Sequence, residues 1–338
     1  MAKQISSLLK FHYDEELFNN RWQSEVDPTT LVLLESGVMV EDSTIAEMIA
    51  GGGNYYTIPF YRDIEGNELN YDGKTNITTD DTEDGTQSGV VYGRAKGWKA
   101  VTFVNDFTGA DPMGNILARI IKWKSKKVQA RLVGILEAVL GSTSDTYTDW
   151  ANHKTDISSS TGTVTDANKI GLTSLNDCAV KALGDNADKF TFAVMHSKVA
   201  NDLANLQVLN FFKYNVDGME LDIRVAKSGN LIVLITDEVP TSGSGVTKKY
   251  TTYILGAGAL LHANAPVEKP SEISRDPAKN GGEDYLYTRY RETIHPNGFT
   301  FSMSELPVSP ADSDLENSAN WTLKMNPKNI AIAKLITN

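Results

Sequence analysis

Residues able to do chemistry are plentiful in this 338-residue chain, but their spacing gathers none of them into a recognisable site. The five histidines, His12, His153, His196, His262 and His295, stand in no HExxH or other metal-ligand spacing. His196 precedes Ser197, but adjacent side chains point apart, so a helix cap is a better reading than a catalytic pair. The run "LGAGALL" places Gly256 and Gly258 after an apolar stretch. A dinucleotide fingerprint would need a third glycine, which is missing, and the next acidic residue does not come at dinucleotide spacing, so a tight turn is the better reading. "TSGSG" from Thr241 to Gly245 follows "EVP" in a loop, not the strand-to-helix bend of a nucleophile elbow. No Walker loop occurs, and nothing selects a carboxylate pair for acid–base work. The expectation is a protein that is not an enzyme, with no catalytic residue, no metal ligand and no cofactor.

Charge is patterned where chemistry is not. Residues 62–88 hold eight acids (Asp63, Glu65, Glu68, Asp72, Asp80, Asp81, Glu83, Asp84) against Arg62 and Lys74. Residues 112–140 hold six bases (Arg119, Lys122, Lys124, Lys126, Lys127, Arg131) against one acid, Glu137. A charge run is usually a solvated face. The sharper reading pairs the basic face with the acidic segment of a neighbouring copy. Exposed pairs give only about 0.2–1 kcal/mol each, yet many in parallel set register and partner choice. A third pattern is "YLYTRYRETIHPNGFTF", read as two decorated strands folded about "HPNG". Strand alternation puts Tyr285, Tyr287, Arg289 and Arg291 on one side, and aromatics with arginine are the residue types that carry interface energy.

The elements that must position these groups follow from periodicity. Residues 1–54 are acidic and end in "GGGN", read as a hinge or, equally, a plain turn. "NYYTIPFYRD" and "GVVYGRAKGWKAVTFV" are strands flanking the acidic, glycine-rich stretch, which suggests a long projecting hairpin. Asp111 as N-cap, Pro112 at the first position and Gly141 as C-terminal glycine bound one long helix. Residues 112–140 would extend roughly 44 Å, and Gly134 inside permits bending. A polar connection over residues 142–164 leads to an amphipathic helix burying Leu175, Cys178, Ala179 and Ala182. Then come the buried strand "FTFAVM", a helix capped by Ser197 with Val199, Leu203 and Leu206, and further strands ending in "NIAIAKLITN".

Composition narrows the class. Hydrophobic residues make up 41% and charged residues 22%, an ordinary globular balance. The net charge of −11 argues against strong direct binding of nucleic acid, though not against lying beside it. Cys178 is the single cysteine, so no intrachain disulfide forms; cytosolic folding fits. The N-terminal stretch carries no run of signal-peptide length and no membrane span is expected.

The order acidic arm, hairpin, long basic helix, α/β domain, long strands resembles the major capsid protein of tailed bacteriophages, with the Hong Kong 97-type fold. The stretches that carry the resemblance run from about Leu31 to Asn338. They include "SGVMVEDSTIAEMIAGGG", "TIPFYRDIEG", "GWKAVTFVNDFTGADPMGNI", "FTFAVMHSKVANDL", "YTTYILGAGAL", "SRDPAKNGGEDYLYTRYRETIHPNGFTF", "ENSANWTLKM" and "NIAIAKLITN". The lysine-rich "KWKSKK" departs from the family's usual pattern.

The resemblance implies an α+β fold with an N-arm (1–54), an extended loop (55–100) and a peripheral domain (101–164) containing a spine helix (111–141). It further implies an axial domain (165–275), peripheral-domain strands (276–317) and a C-terminal strand returning to the axial domain (318–338). It implies pentamers and hexamers closing into an icosahedral shell around double-stranded DNA held without sequence-specific binding. A separate scaffolding protein, a portal and room for a decoration protein go with it, as do assembly in the host cytoplasm and a place in the virion capsid. Inter-subunit contacts are expected from Asp80, Asp81, Glu83, Asp84, Lys122, Lys124, Lys126, Lys127, Arg289 and Arg291. Some relatives cross-link through a lysine of the extended loop, where Lys74 lies, but no partner motif accompanies it. The alternatives are an encapsulin-like nanocompartment shell and an α/β enzyme using the "LGAGALL" turn for a nucleotide.

Overall fold

A computed structural model describes residues 33, 36–62, 68–72, 74, 84–101, 112–144, 146–207, 209–212, 215–216, 219–220, 225–228 and 231–338. Strand β1 (Met39–Glu41) and helix α1 (Ser43–Ala50) precede the antiparallel pair β2 (Tyr55–Tyr61) and β3 (Asp84–Val90). Strand β4 (Tyr92–Val101) comes before the long helix α2 (Pro112–Gly141). Next are β5 (Lys154–Asp156), α3 (Ser174–Leu183), β6 (Phe190–Met195) and α4 (Ser197–Asn205). The short strands β7 (Asn210–Phe212), β8 (Asn215–Val216), β9 (Met219–Glu220), β10 (Val225–Ser228), β11 (Leu231–Ile235) and β12 (Thr241–Ser242) lead to β13 (Lys249–Gly256). The chain closes with β14 (Leu260–Ala265), β15 (Ser271–Asp276), β16 (Glu283–Pro296), β17 (Phe299–Phe301), α5 (Asp312–Leu315), β18 (Trp321–Leu323) and β19 (Ile332–Thr337).

Two sheets organise these elements. In the first, β16 is the spine: β4 runs antiparallel along Glu283–Glu292, while β15 and then β14 share the other edge. Strand β1 adds in parallel to β14. The second sheet runs β5-β19-β13-β6-β11-β10-β7, with β12 attached to β13. The chain crosses from one sheet to the other at "LGAGALL", where Gly258 takes φ +70°. A left-handed backbone there favours glycine, and the stretch is the tight turn its sequence indicates.

Helix α2 lies where the sheets meet. Val128, Leu132, Ile135, Leu136 and Val139 recur at helical spacing and bury into one core with Leu260 and Ile294 of the first sheet, Phe192 and Tyr253 of the second, and Phe299 and Trp321 of the separate β17–β18 pair. Each such side chain contributes about 1.5–3 kcal/mol. The helix's single acid is fixed too. The Tyr253 hydroxyl donates to Glu137 at 2.6 Å and Lys334 Nζ at 2.8 Å, tying α2 to the second sheet. On that sheet's far side α3 buries Leu175, Cys178, Ala179, Ala182 and Leu183, the stripe expected plus one residue.

Several local expectations change. Gly141 is the last residue of α2 and takes no left-handed conformation; Ser142 turns the chain, its N–H and hydroxyl both donating to the Val139 carbonyl. Gly134 faces Glu316, whose Cγ would stand 2.6 Å from a Cβ there. Asp111 lies outside the described residues. The "HPNG" stretch does not fold β16 back on itself. Gly298, at φ +88°, turns the chain away, and β17 pairs with β18. The cap of α4 is His196, whose Nδ1 accepts from the Lys198 N–H; Ser197 is the first helical residue and Leu206 lies beyond the end, exposed. The polar connection after α2 carries a buried anchor: Trp150 donates to the Val139 carbonyl at 3.3 Å, and His153 Nδ1–H donates to the Ile332 carbonyl at 2.7 Å. Residues 38–50, within the stretch read as an arm, are built into the body through β1 and through Ile45 and Ile49 of α1.

Candidate assembly surface

Strand alternation splits β16 into two faces. Leu286 and Tyr290 point toward α2, where they meet Ile116, Ile120 and Trp98. Tyr285, Tyr287, Arg289 and Arg291 point the other way, as their spacing requires. The two tyrosine rings stack at 6.3 Å with 7° between planes. On β4, Lys99 stands opposite Tyr285, while Gly97, Ala95 and Gly93 stand opposite Tyr287, Arg289 and Arg291. A Cβ at Gly97 would lie 3.2 Å from the Tyr287 ring and one at Gly93 3.4 Å from Arg291 Cγ, so the small residues let these long side chains lie flat across β4. The same device recurs in the β2–β3 pair, where Tyr56 covers Gly89 and Phe60 covers Gly85.

Each arginine of this face has a partner within the chain. Arg289 meets Glu272 at 3.3 Å and the Lys269 carbonyl. Arg291 donates to the Gly53 carbonyl at 2.6 Å and to Asn54 at 3.0 Å. It thereby fastens the "GGGN" turn, whose Gly52 and Gly53 both have positive φ. Glu283, at the start of β16, receives Lys99 and Asn280 and also the Tyr285 hydroxyl. That hydroxyl, Asn280 and Lys99 together hold its carboxyl down to about 2.

The predicted charges of α2 divide. Arg119, Lys122, Lys126 and Lys127 are exposed. Lys126 stands 3.7 Å from Glu238. Lys124 turns toward the sheet and sits 5.2 Å from the Tyr290 ring centre. Asp84 is exposed at the start of β3, opposite Tyr61. Asp80, Asp81 and Glu83 lie outside the described residues. No ion pair joins Asp84 to the lysines of α2 among the described residues.

Arg131 does not belong to the exposed face at all. It is 3% exposed and donates to Glu292 at 2.9 Å and Asp312 at 2.8 Å, while its guanidinium lies 4.8 Å from the Tyr92 ring centre. Asp312 also accepts from Arg94 at 2.6 Å, and His262 Nε2 stands 3.9 Å from Glu292. One charge cluster thus joins α2, β4, β14, β16 and α5. Burial works to raise Glu292, but His262 and Arg131 outweigh it and hold the carboxyl below its usual range. Asp312 is lowered likewise, its burial overcome by Arg131 and Arg94. The sequence carries a signal for this cluster: Arg131 falls in register with Val128 and Ile135 on the apolar stripe, and Glu292 shares the parity of Leu286 and Tyr290. Counting bases along the helix hid it.

None of this is catalytic geometry. Among the described residues no group of His, Cys, Asp and Glu could hold a metal. His153 and His295 are buried, and burial pushes each down to about 4. A recess of about 470 Å³ at the end of the second sheet is lined by Lys169, Lys198, Lys248 and Tyr250, with no acid–base pair. No described helix is long and apolar enough to cross a membrane.

Known proteins agree with a building block. Residues 119–331 match the family model described as Gp13-like, major capsid protein 13-like. The major capsid protein of Bacillus phage SPP1 is 27% identical over 326 residues, covering 94% of each chain. The capsid of Ralstonia phage GP4 superposes with TM-score 0.57 at 10% identity, over 90% of this chain and 88% of that one. The capsid of cyanophage Pam1 does so with TM-score 0.50 at 11% identity, over 85% of both. At such identities the structural likeness speaks for the fold alone, and the family match speaks for the rest. The chain belongs to the major capsid protein 13-like family, with the Hong Kong 97-type fold of phage capsids.

Proposed function

We propose that copies of this chain close into pentamers and hexamers of an icosahedral shell around double-stranded DNA, held together across copies by the basic face of α2 and the acidic 62–88 segment. The observation that carries this reading is a mismatch of charge. Helix α2 shows Arg119, Lys122, Lys126 and Lys127 outward in a chain of net charge −11, and among the described residues only Lys126 of these four has a carboxylate within 4 Å. The acids that would balance them are concentrated in one segment of the same chain. Opposite charges concentrated in two separate segments of one polypeptide suit a head-to-tail contact between copies, which closes into rings where the rotation allows. The Tyr285–Arg291 face, with Tyr287 39% exposed, supplies a second contact area.

The chain acts by assembling, not by turnover. A separate scaffolding protein, a portal and a decoration protein complete the picture. The acidic balance limits adhesion to the enclosed DNA. Assembly takes place in the host cytoplasm and the product is the virion capsid. The division into arm, loop, peripheral and axial domains is part of this reading, with the second sheet as the core of the axial part; β14 and β15, inside the range 165–275, pair with β16 in the first sheet, and β5 of the range 101–164 pairs in the second.

Reversing Lys122, Lys126 and Lys127 to Glu tests the pairing. The variant should keep the far-ultraviolet circular dichroism of the parent and fail to form the uniform hollow particles expected of wild-type material, both read by electron microscopy and light scattering. Normal particles from the reversed chain would refute it.

A further inference from the structure

We infer that Asn280 is a site of spontaneous deamidation, driven by the backbone nitrogen of Gly281, and that the reaction turns the tip between β15 and β16 from a neutral side chain into a charged one. The step is an intramolecular condensation followed by hydrolysis. The Gly281 amide nitrogen gives its proton to hydroxide and bonds to Asn280 Cγ. The Cγ–Nδ2 bond breaks, and the nitrogen takes a proton from water and leaves as ammonia. Water then opens the five-membered imide at either carbonyl, leaving aspartate or isoaspartate at position 280. One water is consumed, one ammonia is released and nothing is oxidised or reduced.

Asparagine before glycine is the sequence that favours this reaction, because glycine has no Cβ to hinder its nitrogen and leaves the backbone free to rotate. The chain holds that pair twice, at Asn280–Gly281 and at Asn297–Gly298. The fold treats the two oppositely. Gly298 is buried, and its N–H donates to Gln87 Oε1 at 2.7 Å. The Asn297 amide is gripped at both ends: Oδ1 accepts from Gln87 Nε2 at 3.2 Å and Nδ2 donates to the Gly258 carbonyl at 3.3 Å. Neither the attacking nitrogen nor the carboxamide can turn toward the other without giving up these bonds.

At Asn280 those restraints are missing. Asn280 and Gly281 are exposed. Gly282 N–H closes the turn on the Lys279 carbonyl at 2.7 Å, while Gly281 N–H donates to no described residue. Asn280, Gly281 and Gly282 take φ of 45°, 76° and 112°. A left-handed backbone is unfavourable for a residue with a Cβ, so Asn280 does not itself resist leaving it. Its carboxamide is held at the nitrogen alone, which donates to Glu283 Oε1 at 2.5 Å; Oδ1 accepts from no described residue.

The product bears on the fold at one place. Glu283 is 1% exposed and receives Asn280 Nδ2, Lys99 Nζ and the Tyr285 hydroxyl. Deamidation removes one of these donors and sets a second carboxylate against the same oxygen, which is unfavourable for a buried acid. Lys99 is then shared between two acids. The pairing of β16 with β4 begins here, with Glu283 opposite Val101 and Asp284 opposite Ala100. The loosening therefore falls on the end of the strand around which the first sheet is built.

Peptide mass spectrometry of the purified, unassembled chain, held folded at mildly alkaline pH and sampled over time, tests this. Peptides covering residues 276–289 should gain the mass difference between NH2 and OH ten-fold or more faster than peptides covering residues 293–303. A methyltransferase specific for isoaspartate should label the first set and not the second. In urea the two sites should react at similar rates, because the bonds that protect Asn297 are gone. Equal rates in the folded chain, or a faster reaction at Asn297, overturn the inference; a difference that persists undiminished in urea overturns its assignment to the fold. Asn280→Gln would have to close a less favourable six-membered ring and should abolish the gain in the first set. A gain that persists there places the reaction at another residue and overturns the inference. Asn280→Asp reproduces one product directly, and amides of residues 99–101 should exchange hydrogen three-fold or more faster in it than in the parent. Unchanged exchange overturns the effect on the sheet.

Discussion

Arg131 shows how one residue can be misplaced by its neighbours. In sequence it is the last of six bases on a helix, and counting charge assigns it to the wet face. In the fold it is enclosed by Glu292, Asp312 and the Tyr92 ring, because its position repeats the apolar stripe three residues after Val128. Periodicity and residue type gave opposite answers, and periodicity was right. The alternation of Tyr285, Tyr287, Arg289 and Arg291 was legible for the same reason, since a period of two needs no partner to be read. What those arginines bind was not legible, because Glu272 and the Gly53 carbonyl are distant in sequence. The buried cluster has an asymmetric energetic signature. Removing one partner strands a charge at a cost of about 3–5 kcal/mol, whereas replacing a buried pair by apolar residues is often near neutral. Arg131→Met should therefore destabilise strongly in urea titrations, and the double variant with Glu292→Met should recover much of the loss. If the double variant is as weak as the sum of the singles, the cluster is not acting as a pair.

At the level of elements, α2 was readable because its stripe is long, but the hairpin was readable only in part: β2 pairs with Asp84–Val90, mostly inside the stretch read as its acidic middle, while most of "GVVYGRAKGWKAVTFV" is β4 and pairs with β16. The fate of "HPNG" was not readable. The partner of β17 is β18, supplied after a proline-containing strap and α5, and no local pattern announces so remote a pairing. How the hairpin is rooted was also hidden. Tyr56 lies over Gly89 while its hydroxyl bonds Thr293 at 2.8 Å, and Gln87 accepts from the Gly298 N–H at 2.7 Å. A Cβ at Gly89 would stand 2.3 Å from the Tyr56 ring and hydroxyl, and that ring is fixed by its bond. Gly89→Ala should cost about 1–3 kcal/mol, the usual penalty of forced overpacking. Gly85→Ala meets the Phe60 ring at 2.6 Å, but Phe60 is only half-buried and nearer the open end, so it can swing aside. Unfolding of both variants side by side measures the difference. A larger loss at Gly85 would place the root at the wrong end.

For the whole molecule, the acidic balance and the single cysteine say nothing about the response to mild acid, to which two enclosed imidazoles contribute. His153 and His295 are each no more than 1% exposed. His295 lies between the Tyr56 and Trp321 rings, with neither nitrogen in hydrogen-bonding geometry. Burial lowers both to about 4. In the unfolded chain a histidine takes its proton near pH 6.5. Between pH 6.5 and 4 the unfolded state therefore binds protons that the folded state refuses, and stability falls with pH over that window and levels off below it. Each histidine accounts for about 3 kcal/mol across the full window. The carboxylates act lower down. Glu283, held to about 2, stabilises the fold above the ordinary carboxylate range and loses that contribution only as pH falls toward 2. The interval from pH 6.5 to 5 thus lies within the window of His153 and His295 and above that of Glu283. His295→Leu, which keeps an apolar body between the two rings and cannot protonate, should roughly halve the slope of stability against pH in that interval, measured by denaturant unfolding of the unassembled chain. An unchanged slope would mean that His295 takes its proton within the folded core, and that the enclosure between Tyr56 and Trp321 opens to water before the molecule unfolds.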